Sequence, residues 1–141
     1  MCIRDSYGAT AVEPEAIHSQ GVDVFAPCAM GAILNEQSIS EIKAKVVCGL
    51  ANNQLATPAD GGRLAERGIH YVPDYVVNAG GMIGASTVVF AEPDRDLATR
   101  NIHALSDTIK NILRTADTIG QSSADIADEM ARARIAAGIN S

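Results

Sequence analysis

Apolar positions follow two rhythms along this chain. In the first part, short runs rich in β-branched residues occur at Val22 to Phe25, Val46 to Leu50 and Ile69 to Val72, with helical patterns between them. That alternation predicts βαβ units in a parallel sheet, an α/β fold. Pro14 stands at a first helical position and starts a short helix to about Gln20, and Ile39 to Lys43 gives another turn or two. Thr57 reads as an N-cap with Pro58 at the first helical position, opening a helix that ends near Arg67 with Gly68 as its stop. The Gly61-Gly62 pair weakens that helix by about 1 kcal/mol per glycine relative to alanine, so an irregular start is expected.

The second rhythm begins near Gly81, where strands disappear and an all-helical tail is expected. A long helix from about Asp94 to Ile119 places Ile102, Leu105, Ile109, Ile112, Ala116 and Ile119 on one face. Such a stripe serves either a partner or the protein's own core. Packing within the chain is the expectation, with Leu105, Ile109 and Ile112 buried, since a coiled coil needs more heptads and clearer flanking charges. Gly120 stops the helix, and Ser122 with Asp125 forms a capping box for a last helix to about Ala137.

Composition narrows the function classes. The 141 residues, 47% of them hydrophobic, suffice for a single core and leave little room for a second domain. A net charge of −6 argues against a surface that tracks nucleic-acid phosphates. No apolar run is long enough to span a bilayer, and Arg4 and Asp5 break the start, so neither a membrane helix nor a secretory signal is expected. A cytoplasmic protein is the reading. Cys2, Cys28 and Cys48 are widely spaced and lack a CxxC pair, which fits reduced thiols. His18, His70 and His103 lack the i, i+4 spacing of a helical metal site, so no metal is predicted.

In an open parallel sheet, ligands sit beyond the carboxyl ends of the strands. Three corners qualify. After the first run come Ala26-Pro27-Cys28-Ala29, where small residues let a flat ring or ribose lie against the backbone; Cys28 itself reads as a small buried hydrophobe rather than a nucleophile. After the second come Asn52 and Asn53, whose amides complement a carboxamide, or a carboxylate with an amine. Asx turns explain loop asparagines equally well. The third corner is Asn78-Ala79-Gly80-Gly81, where glycines permit close backbone approach and Asn78 offers a donor to a carboxylate. A helix cap at Asn78 is the plainer reading and is compatible with a ligand role.

Taken in order, Phe25-Ala26-Pro27-Cys28-Ala29-Met30-Gly31, Ala51-Asn52-Asn53-Gln54-Leu55, Pro73-Asp74-Tyr75 and Asn78-Ala79-Gly80-Gly81 resemble the carboxyl-terminal part of the glutamate/leucine/phenylalanine/valine dehydrogenases, with the leucine branch nearest. The resemblance covers roughly Tyr7 to Ala137. Met1 to Ser6 match nothing in it, which suggests a truncated reading frame with a foreign start. It implies a partial Rossmann-like parallel sheet, the second half of an NAD-binding domain, followed by C-terminal helices. By this resemblance Pro27, Cys28, Ala29, Asn52 and Asn53 contact NAD, while Asn53, Asn78, Gly80, Met82 and Ala85 contact the amino acid substrate. Met82 and Ala85 are apolar, which suits a branched or otherwise apolar side chain and disfavours glutamate.

The family's catalytic lysine and aspartate belong to a separate amino-terminal domain, so no residue here is assigned a catalytic role. A GxGxxG turn is not found, and Lys43 and Lys45 read as solvated surface beside Glu41. The resemblance thus implies an NAD-dependent oxidative deamination of leucine, valine or isoleucine by a homo-oligomeric parent, with this fragment inactive alone. The alternative is a non-catalytic nucleotide-binding or helical interaction module that uses the Ile102 to Ile119 face. Loss of the first strands of a doubly wound sheet would also expose an apolar edge and invite association.

Overall fold

A computed structural model describes residues 6–89 and 95–139. The first five residues of the expected foreign start and the expected helix start at Asp94 lie outside the described residues. Strands β1 (Val24–Phe25), β2 (Val46–Val47) and β3 (His70–Tyr71) form a parallel sheet in that order, with Val24 beside Val46 and Val46 beside His70. This is the α/β arrangement that the β-branched runs predict. The regular strands are shorter than the runs. Hydrogen bonds extend the pairing a little, from Cys48 N–H to Phe25 O at 3.0 Å and from Val72 N–H to Val47 O at 2.9 Å. Past Cys48 the backbones crowd: a Cβ on Gly49 would lie 2.1 Å from the carbonyl oxygen of Pro27. Only glycine permits that approach, and the ladder ends there.

The expected first helix is a 3₁₀ segment, Pro14–Ser19, with no buried residue. Helix α1 spans Glu36–Glu41, starting earlier than the apolar pattern at Ile39 indicates. Asn35 causes the shift. Its Oδ1 accepts from the backbone N–H groups of Gln37 and Ser38, each at 3.1 Å, while Ser38 Oγ accepts from Asn35 N–H at 3.0 Å. Helix α2 spans Ala59–Glu66, and its start is tightened by i to i−3 bonds from Asp60 N–H to Thr57 O at 3.1 Å and from Gly61 N–H to Pro58 O at 3.3 Å. Thr57 is not its cap, as its position suggested; instead its N–H and hydroxyl donate to Asp60 Oδ2 at 2.7 and 2.8 Å. Gly68, at φ +67°, stops the helix in the left-handed region.

The tail is helical: α3 (Asp74–Val77), α4 (Gly80–Val89), α5 (Arg95–Ile119) and α6 (Ser123–Ile139). The main core gathers Phe25, Val47 and Tyr71 of the sheet, Ile39 of α1, Leu64 of α2, and Leu34 and Ile42 that flank α1. A second cluster joins Ile112 and Ala116 of α5 to Ile126 and Ala127 of α6. The long stripe is therefore only partly covered. Ile112 is buried, whereas Leu105 and Ile109 are half-buried and Ile102 and Ile119 exposed, because α6 packs against the carboxyl-terminal part of α5.

Candidate functional site

The site grows from the crowding at the strand ends. Ala51 N–H donates to Pro27 O at 3.0 Å, and Leu50 N–H meets Cys28 Sγ at 3.4 Å. Residues 31–35 then run beside residues 52–57, joined by Ala32 N–H to Asn53 O at 2.7 Å and Leu34 N–H to Gln54 O at 2.9 Å. Gly31 faces that turn, where a Cβ would lie 2.9 Å from Asn52 O. Asn53 takes φ +54°, a left-handed conformation that asparagine tolerates better than most residues.

The turn points Asn52 at α3. Asn78 Nδ2 donates to Asn52 Oδ1 at 2.6 Å and lies 3.4 Å from Leu50 O. Asn78 also caps the carboxyl end of α3, its N–H donating to Asp74 O at 2.9 Å. The pair consumes one acceptor and one donor group. Among the described residues, Asn52 Nδ2 and Asn78 Oδ1 are left available, a donor beside an acceptor. Gly80 opens α4 directly after this pair and is half-buried.

Other expected site residues lie around this centre. Pro27 is buried, and Ala29 is exposed. Cys28 is exposed too, contrary to its expected burial, because its side chain turns over the rim of β2 toward Leu50 N–H. Asn53 borders a separate cavity of about 270 Å³ with Tyr75, Asp125 and Asp128. Met82 and Ala85 face solvent on α4. Among the described residues, no group of His, Cys, Asp or Glu is placed to hold a metal ion.

Three residues that the sequence did not single out lie beneath the corner. The Gln54 side chain is fully buried, and its Nε2 donates to Gly49 O at 2.7 Å and Ala51 O at 2.9 Å, with Pro27 O at 3.5 Å. Its backbone N–H donates to Asp74 Oδ2 at 2.9 Å, which also accepts from Tyr71 Oη at 3.0 Å. Burial, and then the Asp74 carboxylate, push the Tyr71 phenol well above its ordinary range and keep it a donor. Burial similarly raises Tyr75, followed by its 2.8 Å hydrogen bond to Asp128. The Cys48 thiol is raised by burial and then by Cys28. Pro73-Asp74 was visible only as part of a motif; the contacts to Gln54 and Tyr71 join distant segments.

The sequence profile described as Glutamate/Leucine/Phenylalanine/Valine dehydrogenase matches residues 3–139. The chain belongs to this dehydrogenase family. It is 39% identical over 137 residues to leucine dehydrogenase of Bacillus cereus, covering 97% of this chain and 37% of that protein. To phenylalanine dehydrogenase of Bacillus thermotolerans it is 40% identical, covering 94% of this chain and 34% of that protein. The crystal structure of L-tryptophan dehydrogenase from Nostoc punctiforme superposes with a TM-score of 0.85 at 40% identity, over 94% of this chain and 40% of that one. The chain thus spans little more than a third of the length of the dehydrogenases it matches. Its fold and family are those of the amino acid dehydrogenases, and its paired asparagines stand beyond the strand ends.

Proposed function

We propose that residues 7–141 form the carboxyl-terminal part of an NAD-dependent dehydrogenase that oxidatively deaminates an apolar L-amino acid to its 2-oxo acid and ammonium. Leucine, valine and isoleucine are the proposed substrates. The observation that carries this reading is the Asn52–Asn78 bond of 2.6 Å at the ends of a parallel sheet. Among the described residues it leaves an amide donor and a carbonyl acceptor available, which suits a carboxamide or an amino acid head group.

The same corner fits a nicotinamide dinucleotide. Gly31 and Gly49 bring backbones together without side-chain bulk, and Cys28 and Ala29 leave a low, accessible rim. Pro27, Cys28, Ala29, Asn52 and Asn53 are the residues assigned to hold NAD, whose chemistry when bound is to accept a hydride. Asn53, Asn78, Gly80, Met82 and Ala85 are assigned to the substrate. Met82 and Ala85 offer only apolar surface, and the relatives named above act on leucine, phenylalanine and tryptophan. Neither residue offers a cation or hydroxyl to a glutamate side chain. The parent is taken to be a cytoplasmic homo-oligomer. Among the described residues no helix is long and apolar enough to cross a membrane. A purely interacting module built on the Ile102 to Ile119 face has less support, since Ile112 and Ala116 of that face are buried within the chain.

The test joins residues 7–141 behind the amino-terminal part of a leucine dehydrogenase and follows leucine-dependent reduction of NAD. The chimera should turn over, the chain alone should not, and Asn78→Ala should lower kcat/KM by about one to two orders of magnitude, the worth of one hydrogen bond to a charged group. An active chimera indifferent to Asn78→Ala would remove that residue from the site. Turnover by the chain alone would refute its role as an incomplete part.

A further inference from the structure

We infer that Gln54 and Asp74 are positioning residues for the Asn52–Asn78 pair. The inference rests on the dehydrogenase reading, which gives that pair its ligand. Gln54 Nε2 donates to Gly49 O and Ala51 O and reaches Pro27 O, so the residue that follows the Asn52 turn is tied to the stretch before it and to the segment just past β1. Its backbone N–H is fixed by Asp74 Oδ2 at 2.9 Å. Asp74 begins α3, and its carbonyl accepts from the N–H of Asn78, the residue that ends α3. One buried chain of hydrogen bonds therefore runs from the Asn52 turn through Gln54 and Asp74 to Asn78.

A merely core-filling role fits Gln54 poorly. Among the described residues its Oε1 is buried with no hydrogen-bond partner, and such an acceptor lowers stability. An apolar residue of the same size would fill the space without that loss, but it could not gather the three carbonyls. Tyr71 completes the brace. Its hydroxyl donates to the same Asp74 oxygen that receives Gln54 N–H, and it accepts from Asp74 N–H at 3.3 Å.

The experiment reads the pair directly in the isotope-labelled chain, through solvent exchange of the Asn78 side-chain amide followed by NMR. Gln54→Leu and Asp74→Leu should each speed that exchange about tenfold, as expected when roughly one hydrogen bond of order is lost. Asp74→Asn should restore the original rate, because its Oδ1 still accepts from Gln54 N–H. Lower thermal stability with an unchanged Asn78 amide would overturn the inference, as would failure of Asp74→Asn to rescue. Should both leucine variants unfold, Tyr71→Phe removes a single hydroxyl and decides the matter: faster Asn78 exchange supports the brace, and an unchanged rate overturns it. The measurement needs no cofactor and no turnover, so an inactive chimera would refute the dehydrogenase reading while leaving this result distinct.

Discussion

The two edges of the sheet are finished differently. At β3 the chain covers itself: Ser123 Oγ donates to Tyr71 O at 2.5 Å, closing an outward-facing carbonyl, and Ile112, Ala116, Ile126 and Ala127 pack just beyond. Gly61 lets α2 come up against Ser122, where a Cβ would stand 3.1 Å from its hydroxyl. At β1 nothing comparable is found among the described residues, and Val22 and Val24 are 46% and 52% exposed. The contrast shows that the helical tail is a cover for one edge, while the opposite edge offers apolar side chains and free backbone groups to whatever lies beside it.

The largest expected break in that contrast comes from the covered side. Ile112→Ala removes the centre of the second cluster and should cost about 2 to 5 kcal/mol, read as a lower denaturant midpoint. Val24→Ala, the matching truncation at β1, should stay within about 0.5 kcal/mol because half of the side chain is already in water. Equal losses would mean that the two edges are equivalent in solution.

A smaller effect belongs to the edge bond itself. Ser123→Ala strands the buried Tyr71 carbonyl and should cost about 1 to 3 kcal/mol by the same measurement. Ser123→Thr keeps a hydroxyl and should recover part of the loss. No change in either variant would assign the closure to apolar packing alone.

The covered side should also respond to alkali. Tyr71 and Tyr75 both have phenols raised in the folded chain, chiefly by burial and then by Asp74 and Asp128 respectively. A group raised on folding holds its proton longer in the folded state than in the unfolded one, so its stability is complete below the unfolded pKa of about 10 and is lost as pH rises beyond it. Stability should therefore fall above pH about 10. Tyr71→Phe together with Tyr75→Phe should flatten that fall, as followed by unfolding curves from pH 8 upward.

How much of this was legible in sequence depends on the range of the forces involved. The three strands follow from local β-branched runs, and the parallel order from the helices between them. The points where strands stop were not visible, since the Gly49–Pro27 approach joins two strands. Helix α1 began early because of Asn35 and Ser38, a capping pair that lacks the usual glutamate. At the site, residues beyond strand ends could be named by rule, but two adjacent asparagines could not be told apart. The left-handed backbone at Asn53 leaves Asn52 as the partner of Asn78 and sends Asn53 to the neighbouring cavity. Gln54 stood in the sequence only as part of a motif, and its role appears with its three carbonyl contacts. The exposure of Ile102 and Ile119 was equally hidden, because periodicity marks an apolar face without telling which part a neighbour covers.

The smallest effect on stability should accompany a change in association at β1. Among the described residues this edge strand has no partner on its outer side, and Val24 adds an apolar side chain that is 52% exposed. Together they favour edge-to-edge pairing of copies, which a lysine opposes by charge repulsion and by the cost of desolvating its ammonium. Val24→Lys should therefore reduce self-association of the isolated chain in sedimentation equilibrium while shifting the unfolding midpoint by no more than about 0.5 kcal/mol. Ser123→Lys at the covered edge should do the reverse, lowering stability by displacing the tail and increasing association as β3 is uncovered. If both substitutions alter association in the same direction, the helical tail does not act as the cover that separates the two edges.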